Sequence, residues 1–232
     1  MHTVLRSATK HVVIGPDQPF CIIGERINPT GRKALQDDLR RGDLSRVEKD
    51  VAEQVAGGAM VLDVNMGAPF VPEVEMLARA VKLVQSLTNL PLCTDSSIVE
   101  ALDAGLASYE GKALVNSVTA EDERMEAILP LVRKYGAAVI ALPNDHEEIP
   151  EDPRRRVELA RKIIDVGLDR RPELWADYFG HYRRVVWLAQ RREADLEAEA
   201  AAVAAMFQLP LTVIDVGTSA LELELEQLVC DE

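Results

Sequence analysis

Carboxylates, amides and hydroxyls recur in one kind of place along this chain, the C-terminal end of a short apolar run. "FCIIGE" leads into Glu25 and Asn28, and "AMVLDVN" holds Asp63 and Asn65. "LPLCTDSS" ends in Asp95, Ser96 and Ser97, "KALVNSVT" carries Asn116 and Ser117, and "AAVIALPND" closes on Asn144 and Asp145. Each residue has a purely structural reading. Asp63 and Asp95 can cap the next helix, as can Ser96 and Ser97 for a helix starting at 98. Asn28, before Pro29, can set a turn. As a set they point to a ligand. A carboxylate accepts paired N–H bonds from an aminopyrimidine edge, and an Asn amide both donates and accepts, so it can read a neighbouring lactam. A phosphate calls instead for Arg, Lys or a glycine-rich helix N-terminus. No G-x-G-x-x-G or P-loop follows any of the runs. A neutral ring rich in N–H donors suits these groups best.

Such chemistry requires the five run ends to meet. The runs are nearly continuous in apolar residues, the mark of parallel strands covered on both faces. Helical patterns separate them at 44–58, 74–87, 98–109 and 121–136, with another at 153–166; the first closes on Gly57-Gly58 and the fourth on Gly136. This predicts successive βα units. A doubly wound sheet places its ligand at one switch point, whereas a barrel gathers every strand end around one mouth. Polar groups at all five ends favour the barrel, so the expected fold class is α/β, a (β/α)8 TIM-type barrel. "HVVIG" (11–15) adds a lead-in strand or hairpin arm.

Beyond residue 166 the pattern changes. Residues 167–182 read as a short helix and loop, 184–190 as a strand, 192–209 as a helix rich in Ala and Glu, 210–217 as a strand and 219–229 as an acidic helix. Residues 1–166 therefore form the barrel portion, and 167–232 a divergent βα segment that completes or caps the same domain. An eight-strand barrel typically takes about 250 residues, so this one is incomplete or ends in divergent strands.

The 232 residues suit one sizeable domain, and 47% apolar with 28% charged residues is ordinary for a globular protein. A net charge of −13 argues against nucleic acid as a partner. Arg154, Arg155, Arg156, Arg161, Arg170, Arg171, Arg183 and Arg184 are interleaved with acids and read as solvated helix surface. Cys21, Cys93 and Cys230 are few, odd in number and far apart, which suggests a reducing compartment, with Cys21 and Cys93 as buried thiols. The four histidines show no metal-ligand spacing. No secretory h-region opens the chain and no apolar run spans a bilayer, so a cytoplasmic protein without a membrane partner is expected.

"FCIIGERINPTGRK" (20–33), "LDVNMGAP" (62–69), "PLCTDSS" (91–97), "ALVNSVTAEDER" (113–124) and "PLVRKYGAAVIAL" (130–142) together resemble the pterin-binding methyltransferases. That group includes the methyltetrahydrofolate:corrinoid methyltransferases and the folate module of cobalamin-dependent methionine synthase, with dihydropteroate synthase a more distant relative. The resemblance covers residues 1–166 and implies a barrel that holds tetrahydrofolate in its acidic mouth, pairs as a homodimer and works with a corrinoid protein. By resemblance Asp95 binds the pterin ring, Asn116 stands beside it, and Asp63 and Asn65 line the pocket. Asn28 lies at the first-strand lip, and Asn144 and Asp145 at the fifth. Glu25 braces the barrel end through an ion pair with Arg26, while Ser96, Ser97 and Ser117 support. The implied reaction moves a methyl group between N5 of 5-methyltetrahydrofolate and the cobalt of a corrinoid (cob(I)alamin), and N5 must gain a proton or a strong hydrogen bond as its bond to the methyl breaks. No cobalamin-binding D-x-H-x-x-G motif occurs here, so the corrinoid belongs to a partner protein. The family's sixth-strand Asp and seventh-strand Asn motifs have no counterpart in 167–232, so no catalytic residue is assigned. Folate binding without transfer is the alternative.

Overall fold

The computed structural model describes residues 2–146 and 149–169 and the strands Val186–Ala189 and Thr212–Asp215. It opens on a hairpin. β1 (Thr3–Arg6) and β2 (His11–Ile14) pair antiparallel, Thr3 opposite Ile14 and Arg6 opposite His11. Five parallel strands follow: β3 (Ile23–Ile27), β4 (Val61–Asn65), β5 (Leu92–Asp95), β6 (Leu114–Thr119) and β7 (Ala138–Leu142). Helices α1 (Lys33–Arg40) and α2 (Ser45–Ala56) link β3 to β4. Helices α3 (Glu73–Leu87), α4 (Val99–Ala107) and α5 (Asp122–Tyr135) fill the next three crossovers, and α6 (Pro153–Asp169) follows β7. The strands lie side by side in chain order, β3-β4-β5-β6-β7. That order contains no reversal, so it is the winding of a TIM-type barrel rather than of a doubly wound sheet. β8 (Val186–Ala189) and β9 (Thr212–Asp215) pair in parallel with each other.

Both faces of the sheet are covered, which is why its strands read as continuous apolar runs. On the outer face Leu62, Val64 and Leu92 pack with Val47, Val51, Met76, Leu77 and Val81 of α2 and α3. Val115, Val118 and Ala141 pack with Met125 and Ile128 of α5 and Leu159 and Ile163 of α6. On the inner face Val61, Cys93, Leu114, Ala138 and Ile140 meet Leu5, Val12 and Ile14 of the hairpin. The hairpin therefore closes the N-terminal end of the barrel interior. It is tied there by reciprocal backbone bonds between Arg6 and Lys112 at 3.0 and 2.8 Å, and by Tyr109 Oη donating to the Arg6 carbonyl at 2.7 Å. Gly111 sits at φ 135°, and a Cβ there would overlap the Arg6 carbonyl, so this seam requires glycine.

Several expectations shift. Helix α1 was not anticipated: its apolar stripe is only Leu35 and Leu39, both buried. β3 runs over 23–27 rather than 20–25, because Ile22 offers its carbonyl to Met60 and Val61 before the ladder begins. Arg156 is buried, not a solvated surface residue, and its Nε donates to the Pro150 carbonyl at 2.5 Å. The helices expected at 192–209 and 219–229 lie outside the described residues. Among those described, no helix is long and apolar enough to cross a membrane.

Candidate functional site

Register brings the polar strand ends together. Asn65 lies opposite Asp95, and Asp95 opposite Asn116. One layer lower, Asp63 lies opposite Cys93 and Cys93 opposite Leu114. Alternation along each strand sends these residues to the same inner face as Val61. The result is a row of amide, carboxylate and amide across three strands, above a carboxylate sunk in the apolar interior.

The row is cross-linked. Asn65 Nδ2 donates to Asp95 Oδ2 at 2.8 Å, and Asn65 Oδ1 accepts from Gly67 N at 2.7 Å. Asn116 Nδ2 points to Asp63 Oδ1 at 3.4 Å, a long contact, from a strand whose register shifts between Val115 and Val118. Asp63 is 2% exposed and also takes a hydrogen bond from the Cys93 thiol. Burial pushes the Asp63 carboxyl up to about 7, with the charge of Asp95 as the second cause. Asp95 is raised chiefly by burial; the Asn65 bond opposes that shift and the charge of Glu73 adds to it. Glu25 is raised by partial withdrawal from water and by Asp95. Burial and Asp63 also push the Cys93 thiol up.

Glu73 was missed by sequence reasoning. It sits in the first turn of α3, where an acid is favoured by the helix dipole. It accepts a hydrogen bond from the Ser96 hydroxyl, whose oxygen in turn accepts Ile98 N at 3.0 Å. Its only signal in the sequence was an acid at the start of a helical pattern. Thr119 was missed as well: it lies opposite Leu142 in register, and its hydroxyl is buried without a partner among the described residues.

The remaining candidates make contacts of their own. Glu25 and Arg26 do not pair, because adjacent strand residues project to opposite faces. Glu25 faces Asp95, and the brace at this barrel end is Arg32, which binds the Arg26 carbonyl and both oxygens of Asp50 at 2.7 and 2.9 Å. Asn28 spends its Oδ1 on Thr30 N at 2.9 Å, which is the turn reading. Asn144 accepts Ala120 N on its carbonyl at 2.8 Å, and Asp145 pairs with Arg155 at 2.8 Å. Ser97 is exposed and offers its carbonyl to Arg124 at 2.8 Å. Ser117 is half-buried at the β6 irregularity.

Four acids, Glu25, Asp63, Glu73 and Asp95, thus crowd one mouth. Three cations near the strand ends are engaged elsewhere: Arg32 with Asp50, Arg155 with Asp145 and Arg124 with the Ser97 carbonyl. The acids' N–H donors among the described side chains are few, Asn65 Nδ2 on Asp95 and the more distant Asn116 Nδ2 on Asp63, so these acids have room for more. A neutral ring that supplies them relieves the repulsion.

The sequence model for the family described as pterin binding enzyme matches residues 24–174. Among solved structures, 7,8-dihydropteroate synthase from Vibrio fischeri ES114 is similar at 14% identity and a TM-score of 0.57, over 92% of this chain and 77% of that one. Xanthomonas albilineans dihydropteroate synthase, in complex with indole-2-carboxylic acid and 6-chloroguanine, is similar at 20% identity and a TM-score of 0.52, over 93% and 77%. The Yersinia pestis enzyme bound to a pterine-sulfa conjugate is similar at 15% and 0.52, over 99% and 97%. At these identities the likeness concerns the fold.

Proposed function

The chain belongs to the pterin-binding enzyme family, and from that premise we propose that it holds a reduced folate in the barrel mouth and serves methyl transfer between N5 of 5-methyltetrahydrofolate and the cobalt of a corrinoid on a partner protein. The observation that carries this reading is the Asn65–Asp95–Asn116 row above buried Asp63. Asp95 accepts the paired N–H groups of the aminopyrimidine edge. Asn116, turned by Asp63, and Asn65, held by Asp95 and Gly67 N, fix the ring's orientation with their remaining polar atoms. Asn28 and Asn144 border the pocket at its two lips, while Glu73 and Ser96 hold the end of β5. The corrinoid, when docked, supplies a low-valent cobalt nucleophile. By family resemblance it acts as a homodimer with a separate corrinoid protein, and its few, widely spaced cysteines favour the cytoplasm.

A second reading follows from the structural relatives, which are named as dihydropteroate synthases. Such a reaction here would need cations to grip a departing diphosphate. Arg32 and Arg155, beside the described strand ends, are already paired with Asp50 and Asp145, which favours the methyl-transfer reading.

Incubation of the full chain with 5-methyltetrahydrofolate and protein-bound cob(I)alamin tests the first reading: the cob(I)alamin spectrum should decay as tetrahydrofolate appears. Folate binding without that decay leaves the binding-only alternative. Formation of dihydropteroate from a pterin diphosphate and 4-aminobenzoate establishes the second reading. In either case Asp95→Asn should weaken pterin binding at least about tenfold, the usual loss for a hydrogen bond to a charged acceptor.

A further inference from the structure

The hairpin that closes the barrel carries a second polar row, at the end away from the mouth. Alternation sends Leu5 and Val12 inward, where both are buried, and leaves Arg6 and His11 exposed on the outer face. Arg6 has a neighbour on each side. His11 lies opposite it in β2, and Lys112 lies opposite it across an antiparallel bridge to the chain entering β6. Residues opposed in this way project from the same face. His11, Arg6 and Lys112 therefore form one row across three adjacent segments. Arg6 spends both its N–H and its carbonyl on Lys112, at 3.0 and 2.8 Å. Its pairing with His11 is then of the non-hydrogen-bonded kind, in which opposed side chains stand closest. Like charges set face to face on a sheet cost stability. Burial, and after it the charge of Arg6, bring the half-buried Lys112 ammonium down to about 8. The setting is unusual for this chain. It has 39 acids and a net charge of −13, yet residues 1–16 contain no acid, and the first one, Asp17, is bonded to His2.

We propose that Arg6, His11 and Lys112 form a binding site for a phosphate-type oxyanion, which clamps the hairpin plug to the barrel. The inference is independent of the pterin reading, since it uses no residue of the mouth. The row spans two strand spacings, about 10 Å, within which the long side chains of Arg6 and Lys112 can converge. Arg6, at the centre, offers paired N–H groups in a fixed fork, Lys112 offers an ammonium, and His11 offers a ring N–H. A carboxylate has two oxygens for these three groups, whereas a tetrahedral oxyanion has four. Arg6 and His11 belong to the hairpin and Lys112 to the barrel, so an anion held by all three ties one to the other. Such an anion also relieves the repulsion between Arg6 and Lys112.

The test is calorimetric titration of the full chain with inorganic phosphate and with phenyl phosphate at constant ionic strength, together with thermal melts in phosphate and in chloride. Phosphate should bind saturably and raise the melting temperature. Arg6→Gln and Lys112→Gln should each weaken phosphate at least about fivefold and shrink that rise. Both substitutions leave the backbone seam in place, and the chloride melts show whether each variant folds. Arg6→Lys, which keeps the charge but loses the paired donors, should weaken phosphate less than Arg6→Gln does. Lys10→Gln, in the exposed hairpin turn and off the row, should stay within about twofold. Tighter binding of phenyl phosphate would identify the anion as a group on a larger ligand, and tighter binding of phosphate as the free ion; either supports the site. An equal loss in Lys10→Gln overturns the inference, since attraction would then be diffuse. A melting rise that persists undiminished in Arg6→Gln and Lys112→Gln overturns it as well, being the general effect of an excluded salt. Absence of saturable binding to the unaltered chain also overturns it, and leaves the row as cations that guard an edge strand.

Discussion

Asp63 is an acid kept from water, and the sign of its titration makes the site measurable. Its folded-state value is raised from 3.8 to about 7, so between those values the folded protein holds more protons than the unfolded chain. The stability this lends is fully present below the unfolded value and is lost as pH rises through the folded one. Asp63→Asn should therefore be more stable than the parent by about 1–3 kcal/mol near pH ~8, with the advantage gone near pH ~4, in urea melts at both. An equal difference at the two pH values would refute the account. Ligand binding carries the opposite dependence. Ring N–H donors favour ionised Asp63 and Asp95, so tetrahydrofolate should bind more tightly as pH rises toward about 8 and should release protons, seen as buffer-dependent calorimetric heats. Asp63, Asn65, Asp95 and Asn116 were legible in the sequence because each sits on the inner face at the end of a run. Asn28 and Asp145 had the same address and turned out to bond locally, to Thr30 N and to Arg155. Glu73 and Thr119 were hidden, since their place at the site depends on helix docking and register.

At the scale of elements, the turn from β4 to α3 couples backbone shape to the site. A Cβ on Gly67 would stand 3.2 Å from both Asn65 Oδ1 and Glu73 Oε2. Gly67→Ala should push Asn65 off Asp95 and weaken tetrahydrofolate about five- to tenfold with little change in melting temperature. A fall in stability with unchanged affinity would show that the turn is only structural. Phe70→Gly relieves a left-handed φ and so should raise stability by about 0.5–1 kcal/mol in urea melts; no gain would show that the turn carries no strain there. The βα alternation could be read from the sequence because each run is apolar throughout and each helix from α2 onward carries a long stripe. Helix α1 could not, as two leucines in eight residues make too short a pattern to stand above its charges.

At the scale of the whole molecule, the barrel separates stability from function along its axis. The hairpin plug holds Leu5, Val12 and Ile14 against Val61, Cys93, Leu114, Ala138 and Ile140 at the N-terminal end, while the polar row opens at the other. This separation was only half visible in the sequence. "HVVIG" suggested a lead-in arm, but nothing local says that an antiparallel hairpin will cap a parallel barrel. Gly111, Tyr109, the Arg6–Lys112 bridge and the Ser7 hydroxyl, which donates to the Asn89 carbonyl at 2.7 Å, make that seam. Leu5 is fully buried, so Leu5→Ala should cost about 2–5 kcal/mol through lost burial and the cavity left behind. Because Cys93 and Leu114 stand between the cavity and Asp63, the folded fraction should keep its tetrahydrofolate affinity within about twofold. Asp95→Asn should do the reverse, losing affinity while holding stability. Denaturant melts and ligand titrations on the two variants check both halves. If Leu5→Ala weakened binding as strongly as Asp95→Asn does, plug and mouth would be one cooperative unit, and the division of the barrel into a stabilising floor and a binding rim would not hold for this chain.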